Sequence, residues 1–400
     1  MNTDQPYLFI EINEKNFIFL VVKYNKDLEF RVLETLIAKS EGITEGKVCD
    51  GVSASKVLKT NLINLEKKID YTFKKATIIN NQSNYNCINV SGFKKIGGTQ
   101  IVEDDISYIL NDLKKLIMDN HKEHSLIHLF NSNFSLDNTN LKNLPIGLYG
   151  ELYTHHLTFY LLLKNDLKNI KLILNNCHIE IERIILKPFA EGINKIIKNN
   201  IIHDYCEIKL KNNLTNISFF KNKSLIYSQD FLFGSDIIIK DIVKVCSLSS
   251  EIVTNIIKEI SFDNLSPEEK EIHLDKKFFI DTNFRKISYG LISDIIDSRI
   301  SEIILLVYKE NTNLKFLRDK TKEIFFTFEN EYILSSIKLN ITKKYFNSMN
   351  IHFDFVNQAT LVDGCLGSAI LMGRGWEREA IPIIQTKKSL ISRIFTAIFS

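Results

Sequence analysis

Glycine is scarce in this chain, with 15 in 400 residues, about half of an ordinary usage of roughly 7%. Glycine lets backbone N–H groups close on a phosphate without an intervening Cβ, and no Walker-type loop can be placed. Long apolar runs are missing too. The longest candidates, Leu157–Leu163 and Ile237–Ile239, fall far short of the ~18 residues that would suggest a transmembrane helix. The six cysteines, Cys49, Cys87, Cys177, Cys206, Cys246 and Cys365, form no CxxC pair and no metal-ligand spacing with histidine, so reduced thiols are expected and no metal site is assigned. Charge of one sign is also lacking. A formal net charge of +3 with no dense basic block argues against a nucleic-acid binder. No Ser/His/Asp set and no paired glycosidase carboxylates can be placed, so no catalytic residue is assigned.

What is present suffices for two or more domains with real cores, since 44% of the residues are hydrophobic and 25% charged. The first residues, Met1-Asn2-Thr3-Asp4-Gln5-Pro6, are polar and acidic where a signal peptide would be basic and then apolar, which leads to the expectation of a cytoplasmic protein. His121, His124 and His128 stand at helix-like intervals, but a solvated face explains that spacing as well as a metal would. His155 and His156 are neighbours on an expected strand and should point to opposite faces.

The periodicities predict a mixed α/β chain. Strands are expected at Tyr7–Ile12, Phe17–Tyr24 and Phe30–Ala38, then a helix over Ser53–Tyr71 and strands at Lys75–Ile79 and Cys87–Gly92. A helix at Glu103–Asn120 precedes strands at Leu126–Asn133 and Tyr149–Lys164, a helix at Asp166–Asn176, a strand at Ile179–Leu186 and a helix at Ala190–Asn200. A second meander is expected at Tyr205–Leu210, Thr215–Lys221 and Ser224–Phe233. Helices then dominate Asp236–Glu259 and Ile287–Glu310, with a strand at Glu323–Phe328, a helix at Ile333–Tyr345 and a final small strand-and-helix element. Two meanders, each followed by helices, suggest an internal duplication of the kind seen in actin-like ATPases.

The last residues read as a membrane-surface helix. Leu390, Ile391, Ile394, Phe395, Ile398 and Phe399 recur at helical spacing, while Lys387, Lys388 and Arg393 hold the entrance and the opposite face. Each large apolar side chain is worth at most roughly 1.5–3 kcal/mol and each basic residue about 1 kcal/mol near an anionic surface, against an ordering cost of roughly 1–2 kcal/mol per residue. One copy should bind reversibly, and several copies held together far more firmly. A C-terminal helix docked on the core is the alternative reading.

Several segments, in order, resemble the bacterial cell-division protein family FtsA. They are Ser40–Asp50, Ile88–Gly92, Ile101–Ile106, Asn143–Leu152, Asn176–Ala190 and Ser298–Val307, and the terminal amphipathic helix resembles the family's membrane-targeting sequence. The resemblance implies a two-lobed actin-like, ribonuclease H-like α/β fold with an inserted SHS2-type domain in the first lobe and a C-terminal amphipathic helix. Residues 1–75 and 165–200 would form the first lobe, 76–164 the insert, 201–236 and 320–380 the second lobe, 237–319 its upper subdomain and 387–400 the membrane helix. It further implies self-assembly into filaments, other divisome partners, and a place on the cytoplasmic side of the bacterial inner membrane at the septum. The C-terminal peptide of FtsZ would dock at Arg299 and Glu302.

The family binds ATP between its lobes through glycine-rich hairpins, and those glycines are missing here. The first hairpin reads Ile10-Glu11-Ile12-Asn13-Glu14-Lys15-Asn16-Phe17, the second runs from Cys206 to Asn216, and the adenosine loop reads Thr327-Phe328-Glu329-Asn330-Glu331. Asn13, Lys15, Glu207, Lys209 and Thr327 occupy the degenerate positions. A non-hydrolysing member of the superfamily is therefore expected. A type IV pilus assembly protein of actin-like fold, or an actin-like ATPase of the sugar-kinase or chaperone branch, are the competing readings.

Overall fold

The computed structural model describes residues 5–279, 283–318, 321, 323–335, 346, 349–357 and 359–380. The membrane-helix expectation at Lys387–Phe399 and most of the helix expected at Ile333–Tyr345 lie outside these residues. The chain divides into two units, one of residues up to Ile202, Asn222–Ile226 and the chain from Val362 onward, the other of His203–Lys221 and Tyr227–Leu361.

The first unit opens with β1 (Tyr7–Ile12), β2 (Asn16–Tyr24) and β3 (Phe30–Lys39), followed by the small hairpin β4 (Ile43–Thr44) and β5 (Lys47–Val48) and by α1 (Gly51–Ile69). Strands β1 and β2 are near-continuous apolar runs because both of their faces are covered. Asp50 starts α1 by accepting from the amides of Val52 and Ser53, and Asp70 ends it in the left-handed conformation. Then come β6 (Lys75–Asn80), β7 (Tyr85–Lys95), α2 (Glu103–Asn120), β8 (His124–Leu136), β9 (Thr139–Leu141), β10 (Leu152–Leu163), α3 (Lys164–Asn175), β11 (Glu180–Leu186) and α4 (Lys187–Lys198). One sheet has the order β11-β6-β1-β2-β3, and a separate antiparallel sheet, β7-β10-β8-β9, carries α2 on one face. Ile106, Ile109, Leu113 and Ile117 of α2, spaced at helical intervals, pack there against Leu129, Leu157, Phe159 and Leu161.

The opening meander is repeated as β12 (Tyr205–Leu210), β13 (Thr215–Lys221) and β14 (Ser224–Phe231), of which Ser224–Ile226 fall in the first unit and the rest in the second. Helices α5 (Asp236–Cys246), α6 (Ser250–Glu259), α7 (Pro267–Lys270), α8 (Tyr289–Ile304) and α9 (Lys315–Arg318) follow, with a π-helical turn at Leu305–Lys309 closing α8. The chain continues through β15 (Glu323–Phe328), α10 (Glu331–Ser335), β16 (Asn350–Phe355) and α11 (Asp363–Arg374). The sheet order is β14-β13-β12-β15-β16, with β12, β15 and β16 parallel.

Several expectations are corrected. Residues 76–80 pair with β1 and β11 in the first sheet and so are no part of an insert beginning at residue 76. Helix α11, expected in the second lobe with 320–380, belongs to the first unit, where Tyr24 donates to the Ala369 carbonyl at 2.7 Å. The solvated face offered for the three spaced histidines is not found, because His121 caps the end of α2, His124 and His128 lie on β8, and His128 is buried. His128 is fully buried, with Glu379 2.6 Å from Nδ1, and Nε2 accepts from the Leu186 amide at 3.0 Å. Burial lowers its pKa, an effect that Glu379 only partly offsets. Among the described residues no group of His, Cys, Asp and Glu is placed to hold a metal ion, and no helix is long and apolar enough to cross a membrane.

Candidate functional site: two self-bonded hairpins

The glycine-free loops sit at the tips of the β1–β2 and β12–β13 hairpins. In the first, Ile12 pairs with Phe17, and the turn is closed by the Asn13 amide donating to the Asn16 carbonyl at 3.2 Å. The Asn13 side chain completes an Asx turn, its Oδ1 accepting from the amides of Lys15 at 3.0 Å and Asn16 at 2.8 Å. Ser40, at the end of β3, takes the loop carbonyls, its amide donating to Lys15 O at 3.1 Å and its hydroxyl to Glu14 O. Lys15 is exposed at the tip.

Beneath this loop lies a charged cluster. Glu11 is fully buried, and its Oε1 accepts from Asn13 Nδ2 at 2.9 Å and from Lys187 Nζ at 2.6 Å. Lys187, at the start of α4, also lies 3.5 Å from Glu191. Burial by itself would lower the Lys187 pKa, but the Glu11 carboxylate, seconded by Glu191, reverses this and holds it above the ordinary lysine range. The ammonium is therefore charged at any physiological pH.

In the second hairpin, Leu210 pairs with Thr215, and the Lys211 amide closes the turn on Leu214 O at 2.9 Å. The amide of Asn212 donates to Glu329 Oε2 at 2.9 Å, and the Glu329 amide donates back to Leu210 O at 3.0 Å. The N-terminus of α5 takes the loop carbonyls, through Ser235 N to Lys211 O at 2.9 Å and Asp236 N to Asn212 O at 2.8 Å. Gly234 makes this approach possible, since a Cβ there would lie 2.3 Å from Lys211 O. Buried Glu207 is 3.2 Å from Lys209, and Lys209 is in register with Thr327 on β15. Burial raises the Asp230 pKa, tempered by a 2.7 Å bond from Asn216 and by Lys211 and Lys209.

The structure thus groups Glu207, Lys209 and Thr327 in one unit and Asn13 with Lys15 in the other. Sequence reading did not single out Lys187 or Glu329. A lysine between the apolar strand Ile184-Ile185-Leu186 and the apolar face of α4 is the signal that could have marked the first. Arg299 on α8 is engaged, with Nε 2.5 Å from Asp241 of α5 and Nη1 2.5 Å from Glu302.

No protein-family model matches the chain. Curated relatives do. FtsA of Buchnera aphidicola subsp. Schizaphis graminum is 23% identical over 318 residues, covering 78% of this chain and 73% of the relative. FtsA of Neisseria meningitidis serogroup B is 18% identical over 311 residues, covering 78% and 75%. The chain is thus similar in sequence to FtsA cell-division proteins of several bacteria. Among solved structures, a chain of a PilM–PilN type IV pilus biogenesis complex superposes with a TM-score of 0.56 at 11% identity, covering 92% of this chain and 98% of that one. That likeness carries the actin-like fold and nothing about partners.

The nucleotide that the FtsA resemblance implies can be tested against these loops. A phosphate bound in the actin-like manner needs loop N–H groups pointing outward. Here the amides of Lys15, Asn16 and Asn212 already donate to the protein's own side chains. A divalent cation would need oxygen ligands with their charge unspent, and Glu11 is paired with a lysine. The hairpins as they stand do not fit ATP and magnesium.

Proposed function

We propose that this chain is a cell-division protein that links FtsZ to the cytoplasmic face of the inner membrane at the septum and does not turn over ATP. The division role rests on the FtsA relatives, and the loss of turnover on the hairpins. Phosphoryl transfer is catalysed mainly by positioning and neutralising the phosphates, and the loop amides of Lys15, Asn16 and Asn212 are bonded within the protein. Membrane attachment falls to residues 387–400, and assembly with other copies and divisome proteins concentrates the chain without a nucleotide cycle. The pilus-assembly alternative has only likeness of fold behind it.

Flotation with anionic liposomes and FtsZ tests the linkage. Wild type should carry FtsZ to the lipid layer, whereas Ile394→Asp with Phe395→Asp should leave both at the bottom; flotation of the double variant like wild type refutes the anchor. Calorimetric titration with ATP and Mg²⁺ tests the other half, and binding coupled to phosphate release that disappears in Glu207→Ala would overturn the non-hydrolysing reading.

A further inference from the structure

The two hairpins do more than lack glycine. Each one is also held by a charged group from elsewhere in its own chain. At the first, Glu11 and Glu191 place two carboxylates around a single ammonium, with Lys187 Nζ at 2.6 Å and 3.5 Å. Glu11 is fully buried, its Oε2 has no hydrogen-bond partner among the described residues, and Gly364 of α11 packs on that oxygen, where a Cβ would lie 2.8 Å away. A buried carboxylate must be neutralised by a cation or a proton, and this one uses a lysine from its own chain. At the second, a loop amide of the kind that binds anions donates to Glu329, a carboxylate just past the end of β15.

We infer that Lys187 and Glu329 are resident counter-ions that replace the cation and the phosphate of a nucleotide complex, so that each hairpin keeps a ligand-bound geometry with nothing bound. The inference rests on the non-hydrolysing reading and goes past it. An eroded site would be loose and empty, whereas a self-liganded one is closed and rigid, and the chain would be held permanently in one assembly state.

The inference predicts that removing each resident ion creates a site for the ion it replaces. Thermal unfolding of the full chain, with and without millimolar MgCl₂ or inorganic phosphate, reads this directly. Wild type should respond to neither. Lys187→Ala leaves two carboxylates facing each other, so its Tm should fall by many degrees and recover in part with Mg²⁺. Glu11→Gln with Lys187→Met removes both charges, should fold, and should ignore Mg²⁺. Glu329→Ala should gain a phosphate-dependent rise in Tm, while Glu329→Gln, which keeps an acceptor on the amide, should not. Should Lys187→Ala fail to fold, the two Glu329 variants decide the matter alone. Glu329→Ala blind to phosphate, folded Lys187→Ala blind to Mg²⁺, or wild type answering either ion alone overturns the inference while leaving the non-hydrolysing reading intact. Wild type stabilised by ATP with Mg²⁺ would overturn the inference as well, and only phosphate release from that complex would sink the non-hydrolysing reading.

Discussion

The two hairpins solve one backbone problem in the same way and one charge problem in opposite ways. Each loop lies between a last and a first ladder pair, Ile12 with Phe17 and Leu210 with Thr215, and each closes with its first amide on its fourth carbonyl. Each has its carbonyls covered from outside, by Ser40 in one and by the start of α5 in the other. The residue two before each loop is charged, but it is Glu11 in the first hairpin and Lys209 in the second. Glu11 is matched by a distant lysine, and Lys209 by a glutamate two residues away on its own strand. Backbone geometry has been kept across the internal repeat because any glycine-free loop must still satisfy its N–H and C=O groups. Charge has been free to diverge, because either sign serves once it is neutralised locally.

The sharpest way to break this comparison is to remove the lysine paired with the buried carboxylate at each hairpin. Lys187→Met leaves Glu11 buried and uncompensated, and a loss of roughly 3–5 kcal/mol is expected by urea denaturation. Lys209→Met likewise strands the buried Glu207, but that pair is longer, 3.2 Å against 2.6 Å, so a smaller loss, at or below the lower end of that range, is expected. Equal losses would mean that the two charge pairs are not different in kind.

Acid should separate the units next. His155, fully buried in the first unit, has its pKa pushed down to about 4, chiefly by burial and further by His156. A histidine depressed on folding stabilises the native state above its unfolded pKa, so this contribution drains away as pH falls from about 6.5 towards 4, by about 3 kcal/mol. Asp230, in the second unit, is raised by burial, so its contribution has the opposite sign and is lost as pH rises. Denaturant titrations between pH 4 and 7 check this, with His155→Gln flattening the acid loss and Asp230→Asn removing the opposing slope.

Smaller effects test the loops themselves. Gly234→Ala drives a Cβ into two carbonyl oxygens of the second loop and should cost about 2–3 kcal/mol by thermal unfolding. Asn13→Ala removes the acceptor for two amides of the first loop and should cost about 1–2 kcal/mol, with faster hydrogen exchange confined to Lys15 and Asn16. Exchange spreading through β1 and β2 would show that Asn13 holds the sheet and not only the turn.

Much of the fold was legible because its elements carry strong local signals. The helix Glu103–Asn120 and the strands Tyr7–Ile12, Tyr205–Leu210 and Glu323–Phe328 fall where periodicity puts them, since apolar spacing is a direct imprint of burial. One misreading came where spacing is ambiguous. The interval of His121, His124 and His128 suggested a solvated face, although His128 already fell in the strand expected at Leu126–Asn133, and it is the pairing of β8 with β10 that places His128 in the sheet. The insert bound at residue 76 came from the family resemblance, and the parallel partners of β6, β1 and β11, lie too far away in sequence for any local pattern to correct it.

For the candidate site the division is sharper. The missing glycines at Asn13, Lys211 and Asn212 are a property of the sequence, and so is the consequence that side chains stand where bare backbone would meet a phosphate. Which groups took over could not be read along the chain. Glu11 and Lys187 are 176 residues apart, and Asn212 and Glu329 are 117, so no local pattern links them. Composition and periodicity report what a residue prefers within a turn or two of its neighbours, and that determined the strands, the helices and the absence of phosphate loops. Pairing a buried charge with its counter-ion depends on which strand ends the sheet brings together, and that was decided only when β11 closed on β6 and β15 on β12.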